Sequence, residues 1–124
     1  PFIRAYKNIP HKDYLSLLKY SSILIGNSSS GIIEAPSFGI PVINIGSRQK
    51  GRQRGDNVID VDYNREAIIS AINYILHDER YINTIKSKNN PYGDGNSGER
   101  ITNVLSKIPI NNQLLQKEWQ INAL

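Results

Sequence analysis

The sequence contains no cysteine, no methionine and no long run of apolar residues. Without cysteine, the chain cannot form disulfides, thiolate metal sites or a cysteine nucleophile. A segment that crosses a bilayer needs about 20 consecutive apolar residues, so no membrane partner is expected. The two histidines, His11 and His77, stand far apart in the sequence and form no ligand cluster. We therefore expect neither a metal nor a cofactor.

The residues that are present fit one folded domain. The chain has 124 residues, of which 39% are hydrophobic and 21% are charged, close to the average of globular proteins. Its net charge of +4 weakly favours anionic ligands. Because the chain starts at Pro1, lacks methionine and has no signal-peptide pattern, we expect a fragment or excised domain of a longer cytoplasmic protein.

Strand and helix patterns alternate along the chain. Short apolar runs predict strands at residues 2–6, 23–26, 41–45 and 58–61, and apolar spacing predicts helices at residues 11–22, 31–38, 64–76, 78–86 and 99–108. Pro36 is expected to kink or end its helix, and Asn64 is expected to cap the helix that follows it. This alternation predicts an α/β fold with a parallel sheet.

The segment GNSSSGIIEAP, residues 26–36, follows a predicted strand and opens a predicted helix. Ligands of open α/β sheets bind at the carboxyl ends of strands, and free N–H groups at a helix start attract phosphate. Three serine hydroxyls add donors, while Gly26 and Gly31 allow close approach. The segment is neither a Walker A loop nor a Gly-x-Gly-x-x-Gly fingerprint. A phosphate cradle and a helix start whose serines only cap are equally open interpretations.

Charged residues accompany this segment. Glu34 can accept hydrogen bonds from vicinal sugar hydroxyls, or it can act as a capping-box glutamate. After the next predicted strand, four cations fall within residues 47–55: Arg48, Lys50, Arg52 and Arg54. Arginine suits bidentate phosphate contacts, so these residues either close over an anionic ligand or form an exposed mobile loop. Nucleic-acid binding is disfavoured because no aromatic residues interleave with the cations.

Together these segments resemble the UDP-N-acetylglucosamine 2-epimerase family. The resemblance rests on GNSSSGIIEAP at 26–36, GIPVINIGSRQ at 39–49, Arg52, Asn57-Val58 and YGDG at 92–95, and it covers nearly the whole chain. The Asn-Ser-Ser-x-Gly and Arg-Gln-x-Gly-Arg forms are similar to those of the hydrolysing branch. That branch converts UDP-N-acetylglucosamine, or a related UDP-2-acetamido sugar, into an N-acetylmannosamine-type sugar plus UDP.

The resemblance implies a fold and a division of the chain. It implies a three-layer Rossmann-like α/β fold, a parallel sheet with flanking helices, as a partial C-terminal domain of the glycosyltransferase-B type. A UDP-binding domain would span residues 1–108, incomplete at its N-terminal side. A C-terminal tail or helix would span residues 109–124, with a last helix or a frayed end at 114–124. The catalytic acids and bases would lie outside this chain, so no catalytic residue is assigned.

The resemblance also implies substrate-binding roles, by position, for Ile9, Tyr14, Asn27, Ser28, Ser29, Glu34 and Arg48. Ser28 and Ser29 would hold the diphosphate. Glu34 would bind the ribose hydroxyls, and Arg48 would face the phosphate or the leaving UDP. The backbone at Ile9 would meet the uracil edge, with Tyr14 on the uracil ring. The spacing of Tyr14 fits a core helix residue equally well.

The implied partners are a UDP-sugar substrate, the missing N-terminal half of the enzyme and further copies of the full-length protein in a homo-oligomer. No nucleic acid partner is expected. The resemblance suggests a cytoplasmic role in sialic acid or capsule precursor synthesis. Two alternatives stay open: the nucleotide-sugar-binding half of a glycosyltransferase, and a non-catalytic UDP-sugar-binding module.

Overall fold

Three short strands form a parallel sheet in the computed structural model, which describes residues 2–111. They are β1 (Leu24–Gly26), β2 (Val42–Ile45) and β3 (Val58–Val61), and they lie in the order β1-β2-β3. Leu24 pairs with Val42, and Val42 pairs with Val58. The apolar runs at 23–26, 41–45 and 58–61 predict these strands to within one residue.

Six helices occur among the described residues: α1 (His11–Lys19), α2 (Ser30–Ile33), α3 (Ala35–Phe38), α4 (Arg65–His77), α5 (Glu79–Ile85) and α6 (Ser97–Leu105). The predicted cap of α4 is confirmed, because the Asn64 side chain accepts a hydrogen bond from the Ala67 N–H at 2.9 Å. The predicted effect of Pro36 is also confirmed, since the helix ends at Ile33 and a new short helix, α3, starts at Ala35 with Pro36 in its first turn. Proline has no N–H to donate, and its ring clashes with the carbonyl four residues earlier.

The two faces of β2 pack against different helices. Val42 belongs to a core cluster with Leu18 of α1 and Ala35 of α3. Ile43, the next residue, belongs to a second cluster with Ala71 and Ile75 of α4. Because successive side chains of a strand point to opposite faces, the sheet lies between two layers of helices. The predicted three-layer arrangement of helices and parallel sheet is confirmed.

Gly31 allows α2 to approach the sheet closely. A Cβ atom built at Gly31 would lie 2.7 Å from Cγ1 of Val42, whose side chain is buried. Only glycine permits this approach without movement of the core. The contact fixes the start of α2 directly over β2, and with it the serines that precede Gly31.

The strand predicted at residues 2–6 is wrong. These residues have no regular secondary structure, and the side chains of Phe2 and Ile3 are 98% and 72% exposed. A strand needs a neighbour to satisfy its backbone N–H and C=O groups. Within residues 2–111, the sheet provides no such partner for this segment.

The described chain divides into two compact units between Tyr92 and Gly93. In the second unit, Asp94 accepts hydrogen bonds of 2.8 and 2.6 Å from Arg100 near the start of α6. The domain boundary at residue 108 stays a prediction, and the segment 114–124 lies outside the described residues. Within residues 2–111, every helix is too short or too polar to cross a bilayer.

Candidate functional site

Two polar segments follow neighbouring strands at the same edge of the sheet. The serine turn, residues 27–30, follows β1, and the basic loop, residues 46–57, follows β2. Because β1 and β2 are parallel, both segments leave the sheet at the carboxyl ends of their strands. This is the edge at which open α/β sheets bind ligands.

The serine turn combines one partly used hydroxyl with free backbone donors. The Ser28 hydroxyl accepts a long hydrogen bond of 3.3 Å from the Ser30 N–H. The Ser29 side chain makes no cap hydrogen bond to α2. Among residues 2–111, the N–H groups of Ser28 and Ser29 have no hydrogen-bond acceptor. Because α2 is only one turn long, these individual donors contribute more than its dipole to the attraction of an anion.

Gln49 connects the basic loop to the serine turn. Its side chain is only 3% exposed, although Arg48 and Lys50 on either side are exposed. The Gln49 amide donates a hydrogen bond of 2.8 Å to the carbonyl oxygen of Asn27. Arg48 therefore follows one strand and Ser28 follows another, but a single side-chain hydrogen bond joins the segments that carry them.

Arg54 is held by the sheet. Its Nε lies 2.9 Å from Asp60 Oδ2, and Asp60 also accepts a hydrogen bond of 2.6 Å from the buried Asn44 side chain. Among the described residues, Arg48, Lys50 and Arg52 have no carboxylate within ion-pair distance. The basic loop thus divides into one structural cation and three that are available to an anion.

Glu34 lies between α2 and α3 and contacts the start of α1. His11 Nε2 is 3.0 Å from Glu34 Oε1, and the imidazole must donate because a carboxylate only accepts. Hydrogen bonds from His11 and then from Ser30 lower the pKa of Glu34 from its ordinary 4.5, against an opposing effect of burial. Glu34 is therefore ionised at neutral pH and can accept hydrogen bonds from ligand hydroxyls.

Ile9 lies just before α1, and Tyr14 lies in the first turn of that helix. The half-buried Tyr14 packs against the first core cluster, and its hydroxyl lies 2.6 Å from Ser30 Oγ. The half-buried Ile9 lines an open cavity of about 440 Å³ whose walls do not include Tyr14. Tyr14 thus has the core contacts that its spacing predicts, while its contact with uracil stays a prediction.

A polar cavity of about 570 Å³ opens beside the basic loop, at the carboxyl ends of β2 and β3. Ser47, Lys50 and Arg54 line it together with Asp60 and Tyr63. Tyr63 covers Gly46 so closely that a Cβ at Gly46 would overlap the ring. The cavity therefore places Lys50 and the paired Arg54 at the carboxyl ends of β2 and β3, and no serine-turn residue lines it.

The structure links some of the predicted site residues to one another and leaves others unlinked. Glu34 and Tyr14 are linked through Ser30, and Asn27 is linked to the residue next to Arg48. Sequence reasoning missed His11 and Gln49. Their partners Glu34 and Asn27 lie 23 and 22 positions away, so no local pattern marks either contact. In the sequence, only the position of Gln49 directly after Arg48 indicates that it belongs to the site.

The His11 contact predicts a measurable change in the titration of Glu34. In His11→Ala, the pKa of Glu34 is expected to rise towards 4.5 because its largest stabilising hydrogen bond is lost. A carboxyl whose pKa is lowered on folding stabilises the fold above its unfolded pKa, and this contribution disappears as the pH falls through the folded pKa. Carbon-detected NMR titration of the Glu34 carboxyl measures the shift directly.

His77→Ala is the matched control, because His77 contacts its own helix through the Asn73 carbonyl. That variant is expected to leave the Glu34 titration unchanged. If His11→Ala also leaves it unchanged, the His11 contact does not form in solution.

The comparisons with known proteins agree on one family. The model of the family described as UDP-N-acetylglucosamine 2-epimerase matches residues 1–106 of the chain. A relative from Legionella pneumophila, named UDP-N,N'-diacetylbacillosamine 2-epimerase (hydrolyzing), is 41% identical over 94% of the chain. An Escherichia coli relative, named polysialic acid biosynthesis protein P7, is 51% identical over 73% of the chain.

The fold also matches a solved structure, described as an S. aureus MnaA-UDP co-structure. The TM-score is 0.60 and the identity is 30%, over 76% of this chain and 26% of that chain. The chain spans 30% of the length of the Legionella relative and 24% of the length of the E. coli relative.

Proposed function

The chain belongs to the UDP-N-acetylglucosamine 2-epimerase family, and from that premise we propose that it is the UDP-binding portion of a hydrolysing UDP-sugar 2-epimerase. The observation that carries the proposal is the hydrogen bond from Gln49 to Asn27, which joins the serine turn to the basic loop. The solved neighbour with UDP in its description supports the choice of ligand. The relative named as a hydrolysing epimerase supports the reaction type.

The proposed diphosphate site uses the donors of both segments. Ser28 and Ser29 offer hydroxyls and free N–H groups, Asn27 anchors the turn, and Arg48 offers a guanidinium. Glu34 receives the ribose hydroxyls as an ionised carboxylate. Ile9 meets the uracil edge through its backbone, and Tyr14 contributes its ring.

The proposed reaction takes UDP-N-acetylglucosamine, or a related UDP-2-acetamido sugar, to an N-acetylmannosamine-type sugar and UDP. A base outside this chain removes the C2 proton, the C1–O bond to UDP breaks, and water adds to the resulting glycal with inversion at C2. The residues of this chain stabilise the departing diphosphate, whose negative charge grows as the bond breaks. We assign that role to Arg48 and the N–H groups of the serine turn.

The proposed parent is a cytoplasmic homo-oligomer of the glycosyltransferase-B type that serves sialic acid or capsule precursor synthesis. The name of the E. coli relative supports that setting. We propose that residues 1–108 form its nucleotide-binding domain and that residues 109–124 form a tail. The 124-residue chain alone is inactive, because no acid–base pair for the C2 proton is assigned within it. NMR detection of N-acetylmannosamine made from UDP-N-acetylglucosamine by this chain would contradict that last statement.

The test of the proposed function is calorimetric titration with UDP. We expect the wild-type chain to bind UDP and Arg48→Ala to bind it roughly 10-fold more weakly, because a hydrogen-bonded charge contact contributes about 1.5 kcal/mol or more. Arg65→Ala is the matched control, since Arg65 is exposed at the start of α4. Its affinity for UDP is expected to equal that of the wild type.

Two outcomes count against the proposal. A folded wild-type chain that binds no UDP would remove the function. An Arg48→Ala chain that binds as tightly as the wild type would remove the role of Arg48 alone.

A further inference from the structure

We propose that Gln49 is a positioning residue, which sets the spacing between the serine turn and Arg48 and so assembles the diphosphate site. This inference rests on the proposed function and deepens it. Gln49 itself contacts no ligand in the proposed site. Gln49 acts through the two segments on either side of its side chain.

The burial of Gln49 is the first observation. Gln49 is 3% exposed, whereas its neighbours Arg48 and Lys50 are exposed. Burying an amide side chain is unfavourable unless it finds hydrogen-bond partners. Among residues 2–111, its Oε1 atom is buried without a partner. The hydrogen bond from Nε2 to the Asn27 carbonyl is therefore the contact that holds this amide in place.

The direction of that hydrogen bond fixes the amide. A carbonyl oxygen accepts only, so Nε2 and not Oε1 must face Asn27. The Gln49 backbone carbonyl in turn accepts a hydrogen bond of 2.9 Å from Arg54, and Arg54 is paired with Asp60 of β3. A continuous chain of contacts thus runs from the sheet through Arg54 and Gln49 to the serine turn.

This chain of contacts leaves the binding groups free. Arg48 precedes Gln49 directly, and Ser28 follows Asn27 directly. Neither Arg48 nor the Ser28 N–H is engaged by another group among the described residues. Gln49 therefore orders the backbone next to both groups without occupying either, which is the arrangement that preorganises a site.

The test compares UDP with uridine, which lacks the diphosphate. Gln49→Met replaces the amide by an apolar side chain of similar size, removing the donor without adding a charge. We expect its affinity for UDP to fall about 10-fold, as for the loss of one positioned charge contact, while its affinity for uridine, measured by NMR shift titration, stays at the wild-type value. Arg48→Ala should also cost less in the Gln49→Met background than in the wild type, because coupled residues are non-additive.

The control and the second variant keep the test decisive. Gln53→Met changes an exposed glutamine of the same loop and should leave both affinities unchanged. If Gln49→Met does not fold, Gln49→Leu also removes the donor without adding a charge, and the same loss of the UDP-to-uridine affinity ratio is expected.

The failures are distinguishable. If the wild-type chain binds no UDP, the proposed function fails first. If the wild type binds UDP and Arg48→Ala weakens it, but the Gln49 variants keep the wild-type UDP-to-uridine ratio, the positioning role is overturned. Equal losses for UDP and uridine would also overturn it, since they indicate a general structural role.

Discussion

Replacing Glu34 with alanine is expected to lower the affinity of the chain for UDP by about 100-fold. A carboxylate that accepts hydrogen bonds from two ribose hydroxyls gains about 1.5–3 kcal/mol from each, and part of this gain is offset because Glu34 already accepts a hydrogen bond from His11. A net loss of about 3 kcal/mol corresponds to roughly 100-fold in the dissociation constant. Calorimetric titration of both chains measures it.

A modified ligand provides a control for the Glu34→Ala prediction. A UDP analogue without the 2′- and 3′-hydroxyls should bind the wild type and Glu34→Ala with the same affinity, because it offers Glu34 nothing to accept. Glu66→Ala, which removes an exposed carboxylate from α4, should leave UDP binding intact. If Glu34→Ala weakens the analogue as strongly as UDP, Glu34 supports the fold of the site instead of contacting the ribose.

Replacing Ile43 with alanine is expected to lower the free energy of unfolding by about 4 kcal/mol. Ile43 is completely buried in the middle strand and packs against Ala71 and Ile75 of α4. The strand is paired on both sides, so the cavity left by the smaller side chain cannot collapse easily. Urea denaturation followed by far-ultraviolet circular dichroism measures the change.

Ile69→Ala is the matched control for Ile43→Ala. Ile69 lies on α4 with 39% of its surface exposed, so its truncation is expected to cost less than about 1 kcal/mol. A loss below 1 kcal/mol for Ile43→Ala would mean that β2 is not the centre of the core.

The sequence predicted the elements of the fold whose causes are local. The apolar runs of β1, β2 and β3, the cap at Asn64 and the break at Pro36 all depend on residues within one or two turns. The strand predicted at residues 2–6 failed because a strand also depends on a neighbour, which local pattern cannot supply. The same limit applies to most of the site.

The four cations of the basic loop are predicted to act alike, either over an anionic ligand or in an exposed loop, but Arg54 pairs with Asp60 on β3. The sequence gives no sign of this pairing, since it depends on the turn of the loop back onto the sheet. The sequence leaves two roles open for Glu34, a contact with sugar hydroxyls and a capping box. Its contact with His11 is neither of these. The predicted segments meet at one edge of the sheet, and the sequence does not reveal that several of their side chains already contact other protein groups.

The order of the strands has a consequence for how the chain folds. Each strand pairs with the strand that follows it in the sequence, from β1 to β2 and from β2 to β3. Each pairing therefore closes a short loop, whose entropic cost is small. Parallel pairing still joins residues that lie apart in the chain, such as Leu24 and Val42, so it forms more slowly than a helix does. The serine turn and the basic loop therefore come together only once β1 and β2 have paired.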